Sequence, residues 1–568
     1  MNSIPNTTAP LSRALVFFLL ICGLTASTAI FWSSSRYGLG LSPDSAGYIA
    51  AARNLMAGHG VIIADGSPLI LQPPLYPTTV AAVSILSGMD PLAAARFLNA
   101  ALLCCIIWIT GGMVIRLSRH PALGTLGILA VFFSTPLHDV SLMAWSEPLF
   151  IFFSLLGIVF LSGYLRHPRP LSLILFTATM AAICLTRYIG VVFIAVGCLG
   201  IVALGRSGMR QRLRDAAFSL VSAVPLALWL MRNEIVSGTL LGPRAPSQRG
   251  LFENVILTAE GILAEYLKGH LSTEDMAMIP HHGSTLTWYL KEHLSTGLLF
   301  TSGSFSFILL AVCAICFFGV WLIVAARLLG LFSFFDNGKG VFLARKIPQA
   351  TYVSCFFAAA YLTLLIITST TTGYNKIGSR LLSPIFAPMQ VILFSLISWK
   401  TNFTGTAWNI RLWRILLLTA LIGCLIGPIR STLAVHRQTW DHGRGYSDEA
   451  WRESETIRAL SHNQAVADGT VLCSNAADAI YLRLGRAARQ SPARTIYNPR
   501  QKTLTPQTLD ELRGNWPAEN KVILVWFDRA ERDYLFTPNE LRLVANVLEI
   551  SRLADGTIYS VNKMLPSP

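Results

Sequence analysis

The sequence has few charged residues. Lys, Arg, Asp and Glu make up 13% of its 568 residues, whereas hydrophobic residues make up 53%. Soluble domains have about 25% charged residues. This composition excludes a chain that is soluble throughout, because too few charges remain to cover a surface in water.

Cysteine patterns typical of disulfides or zinc sites are also missing. Nine of the ten cysteines lie in or beside apolar runs, and the remaining one, Cys473, has no partner for an internal disulfide in its polar surroundings. Cys313 and Cys316 have CxxC spacing, but they lie within an apolar run and no second pair follows. We therefore interpret the cysteines as structural.

Histidine offers one candidate metal site. His281 and His282 are adjacent, with Glu274 and Asp275 nearby. Neighbouring histidines point in different directions on most backbones, so the pattern does not favour a metal site.

The sequence does contain a series of apolar runs long enough to cross a membrane. Each has about 16–24 residues, close to the ~20 that a helix needs to span the hydrocarbon core. We predict an all-α polytopic membrane bundle of about eleven transmembrane helices, at residues 14–33, 97–115, 121–137, 147–164, 171–186, 189–205, 216–231, 303–326, 350–369, 381–398 and 412–430.

The basic residues predict the orientation of this bundle. With the N-terminus in the cytoplasm, the cytoplasmic segments contain sixteen Lys and Arg residues, opposed only by Asp215 and Asp336. They are Arg13, Arg116, Arg119, Arg166, Arg169, Arg206, Arg210, Arg212, Arg214, Arg327, Lys339, Arg345, Lys346, Lys400, Arg411 and Arg414. Such an excess is typical of cytoplasmic loops, and it explains the net charge of +15 without nucleic acid. An odd number of crossings places the C-terminus outside.

The first outer loop, residues 34–96, has helical patterns of its own. Ser42-Pro43-Asp44 predicts an N-cap, a first-turn proline and a first-turn acid, so a helix should run from Asp44 to Ala57 and end at Gly58 and Gly60. A second short apolar helix should follow, to Leu86. We expect both helices to lie in the membrane interface. The alternative that the first span is a cleaved signal peptide also leaves Asp44 outside.

The polar C-terminal part predicts a small α/β domain outside the membrane. We place the membrane domain at residues 1–435, with a large outer loop at 232–300, and the C-terminal domain at 436–568. In that domain Ser447 should cap a helix reaching about Leu460, and strands are expected at 470–473 and 521–527. A continuous Val-Ile-Leu-Val run indicates that the second strand is central. Asp555-Gly556 indicates a hairpin between residues 547–553 and 558–561.

Two acidic residues are candidates for chemistry. Asp44 lies just beyond the first span, with Tyr48 one turn further along the same helix face. Glu147 opens the fourth span at its outer boundary. A carboxylate there can accept a proton from a hydroxyl nucleophile. The alternative is that each acid only stabilises a helix N-terminus.

Three cations lie on the same side. Arg187 falls between two spans, on the outer side and against the charge bias, and Lys376 and Arg380 end the third outer segment. Such residues can bind a phosphate, arginine in bidentate fashion. The alternative is that they extend to the interface as ordinary flanking residues. Together the acids and cations suit a reaction on an anionic lipid headgroup.

A set of short motifs resembles the GT-C membrane glycosyltransferases, and most closely the bacterial protein O-mannosyltransferase-like branch that includes the lipid A aminoarabinose transferase. They occur in the family's order at residues 43–48, 51–55, 58–60, 73–77, 146–150, 186–188, 232–233, 238–240 and 380–384.

The resemblance implies transfer of a sugar from a polyprenyl-phosphate carrier to an acceptor hydroxyl on the outer face. Asp44 matches the proposed general base, and Glu147 matches the acidic position of the second outer loop. Where relatives often have a basic residue before Pro-Pro, this chain has Gln72. Other cations must then bind the donor phosphate, and the candidates are Arg380, Lys376, Arg187 and Arg53. We assign Tyr48, Gln72 and Tyr76 to the substrate pocket.

The sequence thus predicts a glycosyltransferase of the bacterial inner membrane, which acts on a polyprenyl-phosphate-linked sugar and an unknown lipid, glycan or protein acceptor. No cofactor is required, because the leaving group is already a phosphate ester, although a divalent metal ion is compatible with the site. Two alternatives come from other classes: a transporter or lipid flippase, and a non-catalytic envelope assembly protein. Transporters commonly have repeats and broken helices at the bilayer midplane, and this sequence has no repeat.

Overall fold

A computed structural model describes most of the chain. It covers residues 13–118, 120–247, 249–267, 348–373, 377–400, 408–462, 470–498, 503–513, 515–519 and 522–563. The candidate metal ligands at 274–282, the predicted span at 303–326 and Lys376 lie outside the described residues.

The described part of the membrane domain is helical. Its helices, labelled in chain order, are α1 Arg13–Ser33, α2 Pro43–Met56, α3 Leu75–Ser87, α4 Pro91–Leu117, α5 Pro121–Phe132, α6 Thr135–Ser141, α7 Glu147–Arg166, α8 Pro170–Thr186, α9 Val192–Leu204, α10 Met209–Ser219, α11 Val224–Ser237, α12 Leu251–Leu267, α13 Gln349–Thr371, α14 Ser379–Lys400 and α15 Trp408–His442. Short 3₁₀ turns at Tyr188–Val191 and Leu220–Ala223 precede α9 and α11.

Ten of the eleven predicted spans fall on these helices. Eight helical segments among the described residues are long and apolar enough to cross a membrane, and the shorter apolar segments Pro170–Thr186 and Tyr188–Leu204 match two further predicted spans. The predicted span at 121–137 is divided into α5 and α6, with Pro136 in the first turn of α6.

The two helices predicted in the first outer loop are present. Ser42 caps α2 through a reciprocal pair of hydrogen bonds with Ser45, and Pro43 occupies the first turn. The helix ends before Gly58, whose φ of +78° only glycine adopts without strain. α3 follows at the predicted place.

Small residues let α1 pack closely against α4. A Cβ atom on Gly23 would lie 2.6 Å from Cδ1 of Trp108, and one on Gly111 would collide with Leu19. Glycine at such positions lets helix backbones approach each other in a membrane protein.

A short extended segment joins three parts of the outer face. The Gly40 amide donates to the Leu142 carbonyl at 2.8 Å, and the Ala144 amide donates back to Gly40 at 2.9 Å. One residue on, the Leu41 carbonyl accepts from the Tyr446 amide at 2.9 Å. The first outer loop is therefore held between the second outer loop and the start of the C-terminal domain.

The C-terminal domain is an α/β domain with a mixed sheet. Its helices are α16 Glu449–Arg452, α17 Glu455–His462, α18 Ala477–Leu484, α19 Leu509–Leu512 and α20 Pro538–Leu541. Its strands are β1 Val471–Ser474, β2 Arg489–Gln490, β3 Thr495–Asn498, β4 Thr503–Pro506, β5 Val522–Phe527, β6 Ala545–Leu553 and β7 Gly556–Lys563. The main sheet has the order β2-β1-β5-β7-β6, in which β1 pairs parallel with β2 and β5 and the β5–β7–β6 pairs are antiparallel.

Most sequence predictions for this domain are confirmed. β5 is central and buried, and the predicted hairpin is β6–β7. The helix expected from Ser447 to Leu460 is wrong in detail: Asp448 is the N-cap, and the helix is divided into α16 and α17. The reason is that the Ser454 side chain accepts the Ile457 amide at 3.1 Å and starts a new helix there.

Candidate active site

Asp44 and Glu147 lie at the N-termini of two helices, at the ends that the sequence predicts to face outward. Asp44 is in the first turn of α2 and Glu147 opens α7. The hydrogen bonds of Gly40 with Leu142 and Ala144 fix the chain just before each helix, so the two carboxylates are brought together although they are distant in sequence.

Two arginines connect these acids. Arg380, at the start of α14, donates from Nη2 to Asp44 Oδ2 at 2.5 Å and from Nε to Glu147 Oε1 at 2.6 Å. Arg187, between α8 and α9, contacts the same Glu147 Oε1 through Nη1 at 2.5 Å. We call Asp44, Glu147, Arg187 and Arg380 the outer charge cluster. Sequence analysis had selected each of them, and the structure brings all four together.

The side chains of the cluster differ in how far they are exposed to solvent. The side chains of Asp44 and Arg380 are 33% and 29% exposed, whereas that of Glu147 is 1% exposed. Glu147 Oε2 has no hydrogen-bond partner among the described residues. Asp44 and Arg380 can therefore contact a substrate. The buried Glu147 contacts the guanidinium groups of Arg187 and Arg380 from the protein interior.

Burying these charges on folding is unfavourable in free energy. Burying a carboxylate is unfavourable unless cations compensate it, and a buried ion pair seldom stabilises a protein more than apolar packing does. Two guanidinium groups converge on one oxygen of Glu147. Such a cost is typical of functional sites.

Tyr48 and Ser146 extend the cluster inward. The Tyr48 hydroxyl lies 3.0 Å from Ser146 Oγ, which also accepts from Arg187 Nη1 at 3.3 Å. Burial, and then the nearby Asp44 carboxylate, raise the pKa of Tyr48 well above its ordinary value. Tyr48 therefore stays protonated and serves as a neutral hydrogen-bonding group.

Gln72 and Trp145 complete the surroundings of Asp44 and Arg380. Gln72 Nε2 donates to Asp44 Oδ1 at 2.9 Å. The Arg380 guanidinium carbon lies 4.0 Å from the centre of the Trp145 ring, whose Nε1 donates to Ser42 Oγ at 2.7 Å. Sequence analysis did not assign Trp145 or Ser146 to the site, and their position directly before Glu147 was the available signal.

Two other predicted residues lie apart from the cluster. Arg53 donates from Nη2 to Asp90 Oδ2 at 3.2 Å. Tyr76 is fully buried, packs edge-to-face on Tyr48 and points its hydroxyl at Asn99. In this structure Tyr76 supports Tyr48 from behind.

The C-terminal domain faces the same region. Helix α18 packs on α2, and the Arg53 guanidinium carbon lies 5.7 Å from the centre of the Tyr481 ring. Burial raises the pKa of Asp478 on α18 to about 6, and the carboxylates of Asp44 and Asp65 add to this shift. The domain therefore forms a wall beside the outer charge cluster.

The described residues contain no group of three His, Cys, Asp or Glu side chains placed to hold a metal ion. Asp44 and Glu147 are the acids of the site, and arginine occupies an oxygen of each.

Comparison with known proteins identifies what this architecture resembles. The sequence model of the dolichyl-phosphate-mannose-protein mannosyltransferase family matches residues 59–237, a range that includes Glu147 and Arg187. A search of curated proteins finds no significant match.

Solved structures are similar over almost the whole chain. ArnT from Cupriavidus metallidurans in the apo state has a TM-score of 0.56 and 14% identity, over 96% of this chain and 98% of that chain. The same protein bound to undecaprenyl phosphate has a TM-score of 0.55 and 14% identity over the same shares. The Archaeoglobus fulgidus oligosaccharyltransferase in complex with Zn and sulfate has a TM-score of 0.50 and 12% identity, over 96% of this chain and 73% of that chain. These matches confirm the resemblance to GT-C membrane glycosyltransferases predicted from the motifs, and the chain is an integral membrane protein with the fold of ArnT.

Proposed function

We propose that this protein is a membrane glycosyltransferase, which moves a sugar from a polyprenyl-phosphate carrier to an acceptor hydroxyl on the outer face of the membrane. The observation that carries the proposal is the contact of one guanidinium, that of Arg380, with both Asp44 and Glu147. A proton acceptor and a phosphate-binding cation are thereby next to each other, as the reaction needs.

The reaction is a direct displacement at the anomeric carbon. Asp44 accepts the proton of the acceptor hydroxyl while the acceptor oxygen bonds to the anomeric carbon. The bond from that carbon to the phosphate oxygen breaks, and its electron pair leaves with the polyprenyl phosphate. One negative charge thus develops on the leaving group, where preorganised donors are most effective.

Arg380 and Arg187 supply those donors. Glu147 holds both guanidinium groups in place, so little reorganisation is needed when the charge develops. These two cations provide positive charge at the phosphate, and the proposal therefore requires no metal ion, although a divalent ion remains compatible with it.

Donor binding also prepares the base. A donor phosphate near the cluster competes with Asp44 for Arg380 Nη2. As that contact is exchanged, Oδ2 of Asp44 becomes available to accept the proton of the acceptor hydroxyl.

Two further observations support the proposed sugar carrier and the proposed location of the protein. The matched ArnT structure contains undecaprenyl phosphate, which supports a polyprenyl-phosphate carrier for a hexosyl or pentosyl group here. The excess of Lys and Arg on one side of the predicted spans supports a cytoplasmic N-terminus and an extracytoplasmic C-terminal domain in a bacterial inner membrane. No feature of the described residues favours a transporter or an assembly protein instead.

The test is transfer of labelled sugar by the purified full-length protein. Polyprenyl phosphates carrying different radiolabelled hexoses or pentoses are incubated with the protein and with envelope membranes as a source of acceptors. We expect label to leave the carrier with at least one sugar, and Asp44→Ala to abolish this. No release from any of these donors, or equal release by Asp44→Ala, would contradict the proposal.

A further inference from the structure

Three successive backbone carbonyls beside the candidate active site accept hydrogen bonds from distant side chains. They belong to the 69–72 segment, Leu69-Ile70-Leu71-Gln72, which has no strand partner in a named sheet. Leu69 O accepts from Arg232 Nη1 at 2.9 Å, Ile70 O from the Tyr188 hydroxyl at 2.8 Å, and Leu71 O from Arg244 Nη2 at 3.1 Å.

The Tyr188 hydroxyl is fully engaged. It donates to Ile70 O and accepts from Trp229 Nε1 and Asn233 Nδ2, both at 3.1 Å. A hydroxyl has one donor and two acceptor positions, so these three contacts satisfy it. Its orientation is therefore fixed by α11, which contains both Trp229 and Asn233.

Several hydrogen bonds also fix the guanidinium group of Arg232. Nη2 donates to Val61 O at 3.3 Å, and Nη1 donates to Asn233 Oδ1 at 3.1 Å besides Leu69 O. Its guanidinium carbon lies 4.7 Å from the centre of the Trp229 ring. The planar fork of arginine suits such simultaneous contacts in fixed directions, and a lysine would not reproduce this geometry.

The turn after α11 also fits closely against the 69–72 segment. Gly242 has a φ of +79°, and a Cβ atom there would lie 2.7 Å from Leu71 Cδ2. This glycine lets the backbone approach the segment that Arg244 contacts.

The segment ends in Gln72, whose side chain contacts the oxygen of Asp44 that Arg380 does not. Gln72 Nε2 donates to Asp44 Oδ1, whereas Arg380 contacts Oδ2. If the donor phosphate takes over Arg380, the amide of Gln72 remains to orient Asp44. A neutral amide does this without the positive charge that would weaken the carboxylate as a base.

We propose that Tyr188, Arg232 and Arg244 are positioning residues, which fix the 69–72 segment so that Gln72 orients Asp44 for proton transfer. This inference rests on the proposed function of Asp44. It gives a role to the motifs at 186–188 and 232–233, because the side chains of Tyr188 and Arg232 donate to the 69–72 segment. Arg187 and Tyr188 are adjacent, so one short stretch of chain supports both Glu147 and Asp44.

The test is a double-mutant cycle in the full-length protein, with transfer from a polyprenyl-phosphate sugar as the assay. Tyr188→Phe removes the donor to Ile70 O, and Gln72→Ala removes the contact with Asp44. We expect each single change to lower kcat by roughly 10- to 100-fold with a smaller effect on the KM for the donor, because a misplaced base slows the chemical step. In the Gln72→Ala background, Tyr188→Phe should lower kcat by only about twofold or less, since both changes act through one contact.

Tyr164→Phe is the matched control. It also removes a buried tyrosine hydrogen bond, to Asp215 at 2.5 Å on α10, and it should leave kcat unchanged. If Tyr188→Phe does not fold, Arg244→Met replaces it in the cycle, because this change removes the donor to Leu71 O. Independent losses that multiply in the double variant would overturn the inference.

A second measurement does not depend on activity. Hydrogen exchange of the amides at residues 61–72 should be faster in Tyr188→Phe than in the unsubstituted protein, and unchanged in Tyr164→Phe. Unchanged exchange in Tyr188→Phe would overturn the inference. Absence of transfer by the unsubstituted protein would instead count against the proposed function, and the exchange measurement would then decide the role of the 69–72 segment.

Discussion

Arg380 Nη2 lies 2.5 Å from Asp44 Oδ2, although the two residues are 336 positions apart in the sequence. Arg380 is at the start of α14 and Asp44 is at the start of α2. The ion pair thus joins the starts of these two helices, and the same arginine also contacts Glu147. Both side chains of this pair are partly exposed, so a substrate can compete for either.

Arg380→Lys should lower kcat/KM by roughly 100-fold or more, because an ammonium cannot contact both carboxylates in the planar geometry of a guanidinium. Steady-state transfer kinetics with a polyprenyl-phosphate sugar measure this. Arg437→Lys is the matched control, since Arg437 is 84% exposed and pairs with Asp441 one turn away. Equal activity of the two variants would remove Arg380 from phosphate binding.

Glu147→Gln should destabilise the protein by roughly 3–5 kcal/mol, because it leaves two converging guanidinium groups without their buried counter-charge. Unfolding of the detergent-solubilised protein by heat or denaturant measures the loss of stability. Glu253→Gln, which removes an exposed partner of Arg249, should change stability by no more than about 1 kcal/mol. Similar stability of both variants would show that Glu147 is not the centre of the cluster.

Asp478 should make stability depend on pH. Its carboxyl has a pKa raised to about 6, so the folded state binds this proton more tightly than the unfolded state does. Its contribution is therefore favourable below the ordinary pKa of an aspartate, and it is lost as the pH rises from about 4 to about 6. Asp478→Asn should remove this part of the pH dependence and raise the Tm relative to the unsubstituted protein at pH 7. The prediction would be contradicted if the Tm of Asp478→Asn and that of the unsubstituted protein changed in parallel from pH 4 to pH 7.

Topology offers a separate prediction. A reporter enzyme that is active only outside the cytoplasm should be active after Pro568 and inactive near Arg210, because the basic residues around Arg210 favour the cytoplasm. Fusions at both sites, measured in intact cells, test the orientation. The same result at both sites would refute an odd number of crossings between Arg210 and Pro568.

The acids and cations of the site could be selected from the sequence because they lie where charge is unusual. Asp44, Glu147, Arg187 and Arg380 flank apolar spans at the ends opposite the predicted cytoplasmic loops with their excess of basic residues, and local signals such as the Ser42 cap place Asp44 correctly. Periodicity and length likewise predicted the helices, since a span must cover the hydrocarbon core.

The pairing within the site could not be predicted, because it depends on how helices far apart in the sequence pack. Arg53 has the same charge as Arg380, yet its position two and a half turns along α2 takes it to Asp90. Gln72 has no charge to mark it, and only the fold shows its contact with Asp44. The break between α16 and α17 was missed because the Ser454 cap competes with helix continuation.

The central claim is that Asp44 is the general base, and Asp44→Asn tests it most directly. Asparagine keeps the shape and the hydrogen-bonding capacity of the side chain, and the change leaves Ser42, which caps α2, in place. If Asp44 accepts the proton, kcat should fall by roughly 10²–10⁴-fold while the polyprenyl-phosphate donor still binds at least as tightly and the Tm changes little. Full turnover by a well-folded Asp44→Asn protein would contradict the mechanism.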